Sequence, residues 1–306
     1  MSFLTRILSN LSLDGEKPSV IEVHGESLVP VSRATILEFT LRARRNIAAA
    51  GVKAGDRVAL LAPNSAKWAA CDLAILSEGA IVVPLYSRQD PHELAVMLND
   101  CKPTLLIAAD ETLEQSILDA WTTPCQTICF DPLFAGEASE TPTFEHAPKD
   151  PVTIIYTSGT SGVPKGVILN CANVDYMLPT TYRAIQDITG ERGIDDKVFH
   201  FLPFCFAGSR MMLWTQLYRP NPITASTDLT NLVQEMGTAD PNYYLNVPAV
   251  LERIKLGVGS KVREQGGMAL TLYSKAVAAY RRAKNGESKA LDGLWLMLGK
   301  KLVFPK

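Results

Sequence analysis

Apolar and polar residues along the chain alternate between helical and strand-like periods. Over 35–49, Ile36, Phe39, Thr40, Ile47 and Ala48 are spaced as one helix face with Arg42, Arg44 and Arg45 between them. This predicts an amphipathic helix that Gly51 and Gly55 end. Residues 57–62 are a short apolar run closed by Pro63-Asn64, which reads as a buried strand and turn. Over 65–77, Trp68, Cys71, Ile75 and Leu76 share a helix face; Gly79 stops it, and 80–85 is the next strand. Residues 91–101 predict a helix with Pro91 in its first turn and Leu94, Met97, Leu98 and Cys101 inward. A strand at 104–109, a helix at 111–121 and a strand at 126–130 continue the alternation. Strands that alternate with helices and are apolar nearly throughout imply an α/β fold with parallel sheets flanked by helices.

Residues 131–150 are rich in Pro, Glu, Thr and Ala and read as a connection between a first α/β subdomain, 1–150, and a second, 151–306. Strands are expected at 152–157, 166–170, 197–202, 223–226 and 243–246, and helices at 173–189, 208–217 and 229–236. Pro248 opens a mostly helical stretch, with breaks at Gly266-Gly267 and Asn285-Gly286. No internal repeat occurs.

Composition narrows the classes. The 306 residues suffice for about two domains of ~150 residues each. With 47% hydrophobic and 20% charged residues the chain reads as globular, and a net charge of −2 argues against nucleic acid as a partner by bulk electrostatics. Six cysteines without a CxxC pair exclude a zinc ribbon or a thioredoxin-like motif and fit a reducing compartment, so a cytoplasmic location is expected. His24, His92, His146 and His200 are too scattered for a metal helix. No secretory leader is visible, and the longest apolar stretch, 66–86, is broken by Lys67, Asp72 and Glu78. Charge is uneven: 249–306 holds 12 Lys+Arg against 4 Asp+Glu, a net of +8, leaving −10 for 1–248. Such a basic helical segment either rests peripherally on anionic lipid or presents a solvated face balanced by the acidic part. Oligomeric state is not legible.

The chemistry concentrates in Tyr156-Thr157-Ser158-Gly159-Thr160-Ser161-Gly162-Val163-Pro164-Lys165-Gly166, between two expected strands. Glycines allow close backbone approach, and successive N–H groups in such a turn form an anion-binding concavity. The hydroxyls of Thr157, Ser158, Thr160 and Ser161 can donate to phosphate oxygens, and Lys165 supplies a point charge. Gly162 and Lys165 are separated by Val163-Pro164, so this is no Walker A loop, and no GxGxxG fingerprint occurs in it. The plainer alternative is a Gly/Ser hairpin turn.

The string 157–166 resembles the phosphate-loop signature of the adenylate-forming (AMP-binding) superfamily. Gly51-Val52-Lys53-Ala54-Gly55-Asp56-Arg57-Val58, Asn64 to Trp68, and Gly79-Ala80-Ile81-Val82-Val83-Pro84-Leu85 follow in that family's order. Phe201-Leu202-Pro203-Phe204-Cys205-Phe206 resembles its acyl-pocket motif, with 246–252 after it. The resemblance covers nearly the whole chain, and the helical region 257–301 looks like the insertion of long-chain acyl-CoA synthetases. It implies the N-terminal part of that family's large domain, activating a carboxylic acid, chiefly a long-chain fatty acid, with ATP, Mg2+ and coenzyme A. ATP phosphates would lie on Thr157, Ser158, Gly159, Thr160, Ser161, Gly162 and Lys165, with Thr157 also at magnesium. Many relatives carry histidine or another aromatic residue where Phe206 stands, so Phe206 either walls the acyl pocket or packs in the core. Arg210 stands where long-chain members often have arginine; a surface or helix-capping role is equally open.

In that family the adenine-binding segment, the ribose-binding aspartate, the hinge and the small C-terminal domain with its catalytic lysine lie beyond the point where this chain stops. No Tyr-Gly-x-Thr-Glu string occurs in 257–306. The expectation is a fragment or truncated product, inactive alone. A non-catalytic nucleotide- or partner-binding chain and another adenylating ligase, of aryl or peptide-synthetase type, are the alternatives.

Overall fold

A computed structural model describes residues 2–158, 164–190, 196–226, 231–246 and 248–302. The elements in order are α1 (Phe3–Ser12), β1 (Pro18–His24), β2 (Ser27–Ser32), α2 (Arg33–Ala49), β3 (Arg57–Leu61), α3 (Ala66–Ser77), β4 (Ile81–Leu85) and α4 (Pro91–Cys101). Then come β5 (Leu105–Ala108), α5 (Glu111–Ala120), β6 (Gln126–Cys129), α6 (Phe130–Leu133), β7 (Pro151–Ser158), β8 (Pro164–Asn170) and α7 (Cys171–Thr189). The chain continues through β9 (Val198–His200), α8 (Ala207–Tyr218), β10 (Ile223–Ser226), α9 (Leu232–Ala239) and β11 (Tyr243–Tyr244). It ends in α10 (Pro248–Gln265), α11 (Gly267–Lys284) and α12 (Asp292–Leu302). Residues 1–245 form one compact unit and 246–306 another.

The first unit holds two sheets. One has the order β6-β5-β3-β4-β7-β8, the other β11-β9-β10-β1-β2. All neighbours pair in parallel except β7 with β8 and β1 with β2, which form antiparallel hairpins. The expected α/β fold of parallel sheets flanked by helices thus forms, with one antiparallel hairpin added at the edge of each sheet. The β1–β2 hairpin went unread because its turn, Gly25-Glu26, carries only one strong signal, and Gly25 takes φ +62° there.

Alternation along the buried strands divides the core. Val58, Leu60, Leu105 and Ile107 face a large cluster with α2, α3 and residues of the second sheet, while Ala59, Leu61 and Leu106 face Leu94, Leu98 and Ile117 of α4 and α5. Helix α3 belongs to the large cluster, and every residue of it except Lys67 is buried. Ser65 caps it by accepting from the Trp68 N–H at 3.0 Å, and Gly79 ends it at φ +75°. A Cβ on Gly79 would meet the Phe144 ring at 2.7 Å, so both backbone and space demand glycine.

Both sheets take strands from either side of residue 150, because β1 pairs with β10 and β4 with β7. The 131–150 connection is docked rather than free. Buried Arg44 donates to the Thr141 and Pro142 carbonyls, and the Phe144 N–H donates to the Ser77 carbonyl. The expected boundary at 150 thus runs through continuous hydrogen-bonded sheets. In the second unit the expected helices form, with a break at Gly266 and a turn at Asn285-Gly286. No helix among the described residues is long and apolar enough to cross a membrane.

Asp72, the lone acid of α3, is fully buried and accepts hydrogen bonds from Arg210 and, at 2.7 Å, from the Trp214 indole N–H. Arg210 also donates to Thr153 Oγ1 on β7 and lies 4.3 Å from the Trp214 ring centroid. Burial pushes the Asp72 carboxyl up, against the pull of Arg210 and the indole. Removing one partner strands the other charge. Arg210→Ala should lower unfolding free energy by about 3–5 kcal/mol, and Asp72→Leu/Arg210→Met should be closer to wild type than either single change. Urea unfolding checks this; a double variant as unstable as the sum of the singles would mean the two charges do not depend on each other.

Candidate functional site

The candidate loop is carried by the β7–β8 hairpin, in which Thr157 pairs with Lys165 and Ser158 with Pro164. Gly159, Thr160, Ser161 and Gly162 lie outside the described residues, as does Val163. Thr157 and Lys165 are both exposed, and the Thr157 hydroxyl donates to the Lys165 carbonyl only at the outer limit, 3.5 Å. Among the described residues no carboxylate lies within ion-pair distance of Lys165, so its ammonium is available to an anion. At Gly166 a Cβ would meet Ile154 Cγ2 at 2.7 Å, which explains the glycine directly after the lysine. The hairpin is anchored from behind: the Tyr156 hydroxyl donates to the Met97 carbonyl at 3.1 Å and to Asp100.

Because β4 and β7 run parallel, the loop springs from the same edge at which β4 ends in Tyr86-Ser87-Arg88. A cleft at the carboxyl ends of β3, β4, β9 and β10 is lined by Asn64, Tyr86, Arg88, Phe201, Phe204 and Ser226, among others. The carboxyl edge of a parallel sheet is where open α/β folds hold ligands, since the loops leaving the strands converge there.

The 201–206 segment turns tightly from β9 into α8. Asn64 holds this turn from both sides: its amide donates to the Leu202 carbonyl at 3.0 Å, and its oxygen accepts from the Phe204 N–H at 2.7 Å. Phe204 is buried between Trp68, 5.3 Å away by ring centroids, and His200, stacked at 5.4 Å and 10°. Burial pushes the Cys205 thiol up to about 12, so it stays protonated and is no nucleophile at neutral pH. Phe206 is 46% exposed, N-terminal to α8, with its ring 5.7 Å from Tyr86. The core-packing reading of Phe206 is thereby excluded; it stands beside a residue that lines the cleft. Arg210 is neither on the surface nor a cap, because its guanidinium is consumed by Asp72 and Thr153.

Sequence reasoning passed over Asp72, Thr153 and His200 as site-forming residues. A lone acid in an otherwise apolar helix was the available signal for Asp72, since such a charge must find a buried partner. Nothing local marked His200.

The chain belongs to the AMP-binding enzyme family, whose model matches residues 32–299. Among curated relatives it is similar to the long-chain-fatty-acid–CoA ligase FadD15 of Mycobacterium bovis, 27% identical over 224 residues, covering 67% of this chain and 36% of the relative. The chain thus spans about a third of that relative's length. Among solved structures it is similar to the N-terminal domain of FACL13 from Mycobacterium tuberculosis, with TM-score 0.70, 20% identity, and coverage of 83% of this chain and 65% of that one. O-succinylbenzoate coenzyme A synthetase from Bacillus subtilis, solved in complex with AMP, matches with TM-score 0.67 at 19% identity, over 81% of this chain and 50% of that one. These solved structures share the fold.

His200 is fully buried, and among the described residues its ring nitrogens make no well-formed hydrogen bond; the backbone of Leu202 is the polar group nearest to offering one. Burial pushes its pKa from 6.5 down to about 4. The unfolded chain therefore takes up the proton first as pH falls. Stability should be full above the unfolded value and drop as pH falls from 6.5 toward 4, by up to about 3 kcal/mol. Urea unfolding across that window checks it, and His200→Phe should flatten the slope that wild type shows.

Proposed function

We propose that this chain forms the phosphate-loop and acyl-motif part of an AMP-forming acyl-CoA synthetase acting on a long-chain fatty acid. The kinship to long-chain-fatty-acid–CoA ligases carries the substrate class. Lys165, exposed and without an ion pair among the described residues, on a hairpin at the carboxyl edge of the sheet, supports the nucleotide reading.

In this reading the loop hydroxyls and N–H groups at 157–162, with Lys165, hold the β- and γ-phosphates of ATP. The fatty acid's carboxylate oxygen attacks the α-phosphorus, the bond to the bridging oxygen breaks, and pyrophosphate leaves with its added negative charge stabilised by Lys165 and the loop donors. The thiol of coenzyme A then attacks the acyl carbon, and AMP departs as the thioester forms. Because the carboxylate is the nucleophile, no triad is needed, which agrees with the protonated Cys205. Magnesium would neutralise phosphate charge when bound, and the exposed Thr157 hydroxyl is an oxygen ligand of the type it takes. Phe206 and Tyr86 would form the mouth of the acyl site. The adjoining cleft is lined by rings and by backbone that Asn64 holds in place.

The chain spans 36% of its FadD15 relative, so residues 1–306 alone are expected to bind ATP weakly and to release no pyrophosphate. Titration with ATP and magnesium tests the loop. Lys165→Ala should weaken binding about ten- to a hundredfold through loss of a charge-assisted contact, and unchanged affinity would remove Lys165 from the site. Pyrophosphate release with a panel of fatty acids tests the second point: sustained turnover by 1–306 would show that these residues suffice for adenylation.

A further inference from the structure

Helices α11 and α12 leave a groove of 360 Å³ between them, lined by Ala276, Val277, Tyr280, Leu296, Gly299 and Lys300. The lining mixes small and large residues. Ala276 and Gly299 are buried and occupy little volume, while Val277, Leu296 and Tyr280 are bulkier. Packing such unequal residues against each other leaves a void that no side chain among the described residues fills. Its volume lies within the range of small-molecule sites.

Carbon lines this groove almost throughout. The polar side-chain groups of its lining residues are the Tyr280 hydroxyl and the Lys300 ammonium. Both residues are exposed, so their stems line the groove while their polar ends reach water at its rim. Lys300 is the one cation among the lining residues, and no carboxylate among the described residues lies within ion-pair distance of it. Neighbouring cations are otherwise engaged. The Lys275 ammonium lies 4.3 Å from the Trp295 ring centroid, and Arg282 donates to buried Asp292, with Nε at 3.0 Å.

These features decide the class of occupant. An extended peptide would bring N–H and C=O groups into a groove with almost nothing to pair them. A helix about 10 Å across would fill 360 Å³ with less than one turn. An aliphatic chain has no polar group to satisfy there, and a singly charged anionic head matches the single cation at the rim. A head with several phosphates would call for a cluster of cations where the lining supplies one.

We propose that the α11–α12 groove is a binding site for a free fatty acid, with the aliphatic chain along Ala276, Val277, Leu296 and Gly299 and the carboxylate at the Lys300 ammonium. It goes beyond the acyl site proposed at Tyr86 and Phe206, with which it shares no residue.

Calorimetric titration of the full chain with octanoate, decanoate and dodecanoate tests it. Affinity should rise about fourfold per added methylene until the groove is full. Lys300→Gln should weaken decanoate about two- to fivefold, the range of an exposed ion pair, and leave decanol unchanged. Gly299→Met should fill the groove and lower the bound stoichiometry by one, with helix content retained because methionine is the better helix former. Lys300 is exposed, so its variant decides the matter even where Gly299→Met unfolds. No binding of any acid, affinity indifferent to chain length, or binding that both variants leave intact would each overturn the proposal. So would a preference for dodecanoyl-coenzyme A over dodecanoate. Loss of ATP binding in Lys165→Ala is read separately, because the loop shares no residue with the groove.

Discussion

One buried charge pair sets the geometry on which the rest depends. Helix α3 is apolar on every side but one, and its single carboxylate, Asp72, has no access to water. It is satisfied by Arg210 and Trp214 of α8, and the same guanidinium reaches Thr153 on β7. A charge that cannot be hydrated admits few alternative arrangements, because any shift that breaks the contacts leaves an ion in a low-dielectric core. The pair therefore locks α3, β7 and α8 together. The candidate phosphate hairpin grows from β7 and Phe206 stands at the start of α8, so this contact also fixes how far the two halves of the candidate site lie apart.

Around that lock, local devices aim the loops. Asn64 leaves β3 and grips the backbone on both sides of Pro203, giving the turn into α8 two hydrogen bonds that the apolar residues there cannot supply. Tyr156 reaches Met97 and Asp100 and steadies the strand entering the loop. Rigid strands delivering irregular loops to one edge is the usual division of labour in α/β proteins, and here both sheets contribute to the same cleft.

The two units differ in electrostatic character as well as architecture. The acidic first unit carries its buried cations, Arg33, Arg44, Arg210 and Arg219, on backbone carbonyls or carboxylates, where they serve the fold. In the second unit Arg282 serves that way on Asp292, whose carboxyl that guanidinium holds down to about 2. Most of its remaining basic side chains are left at the surface.

Element type and order were legible because they rest on local rules. The helix at 91–101 and the strand at 223–226 match their expected bounds, each being a clean periodic run with Pro or Asn and a turn at its flank. The string 157–166 stood out as a candidate for a similar reason, because close approach to phosphate demands glycines, hydroxyls and a lysine near one another in sequence; its residues 159–163 lie outside the described residues. The first 32 residues were not. β1 and β2 are stable only as the edge of a sheet completed by β10, two hundred residues away. The partner of Asp72 lay 138 residues further on. His200, Phe206 and Arg210 sit within eleven positions, yet one is buried neutral, one exposed and one buried as an ion. The sequence alone determined which local conformations were cheap and which residues make one loop a candidate for phosphate binding. Tertiary structure decided pairing, burial and ionic partnership, because those energies arise between segments that only the closed fold brings into contact.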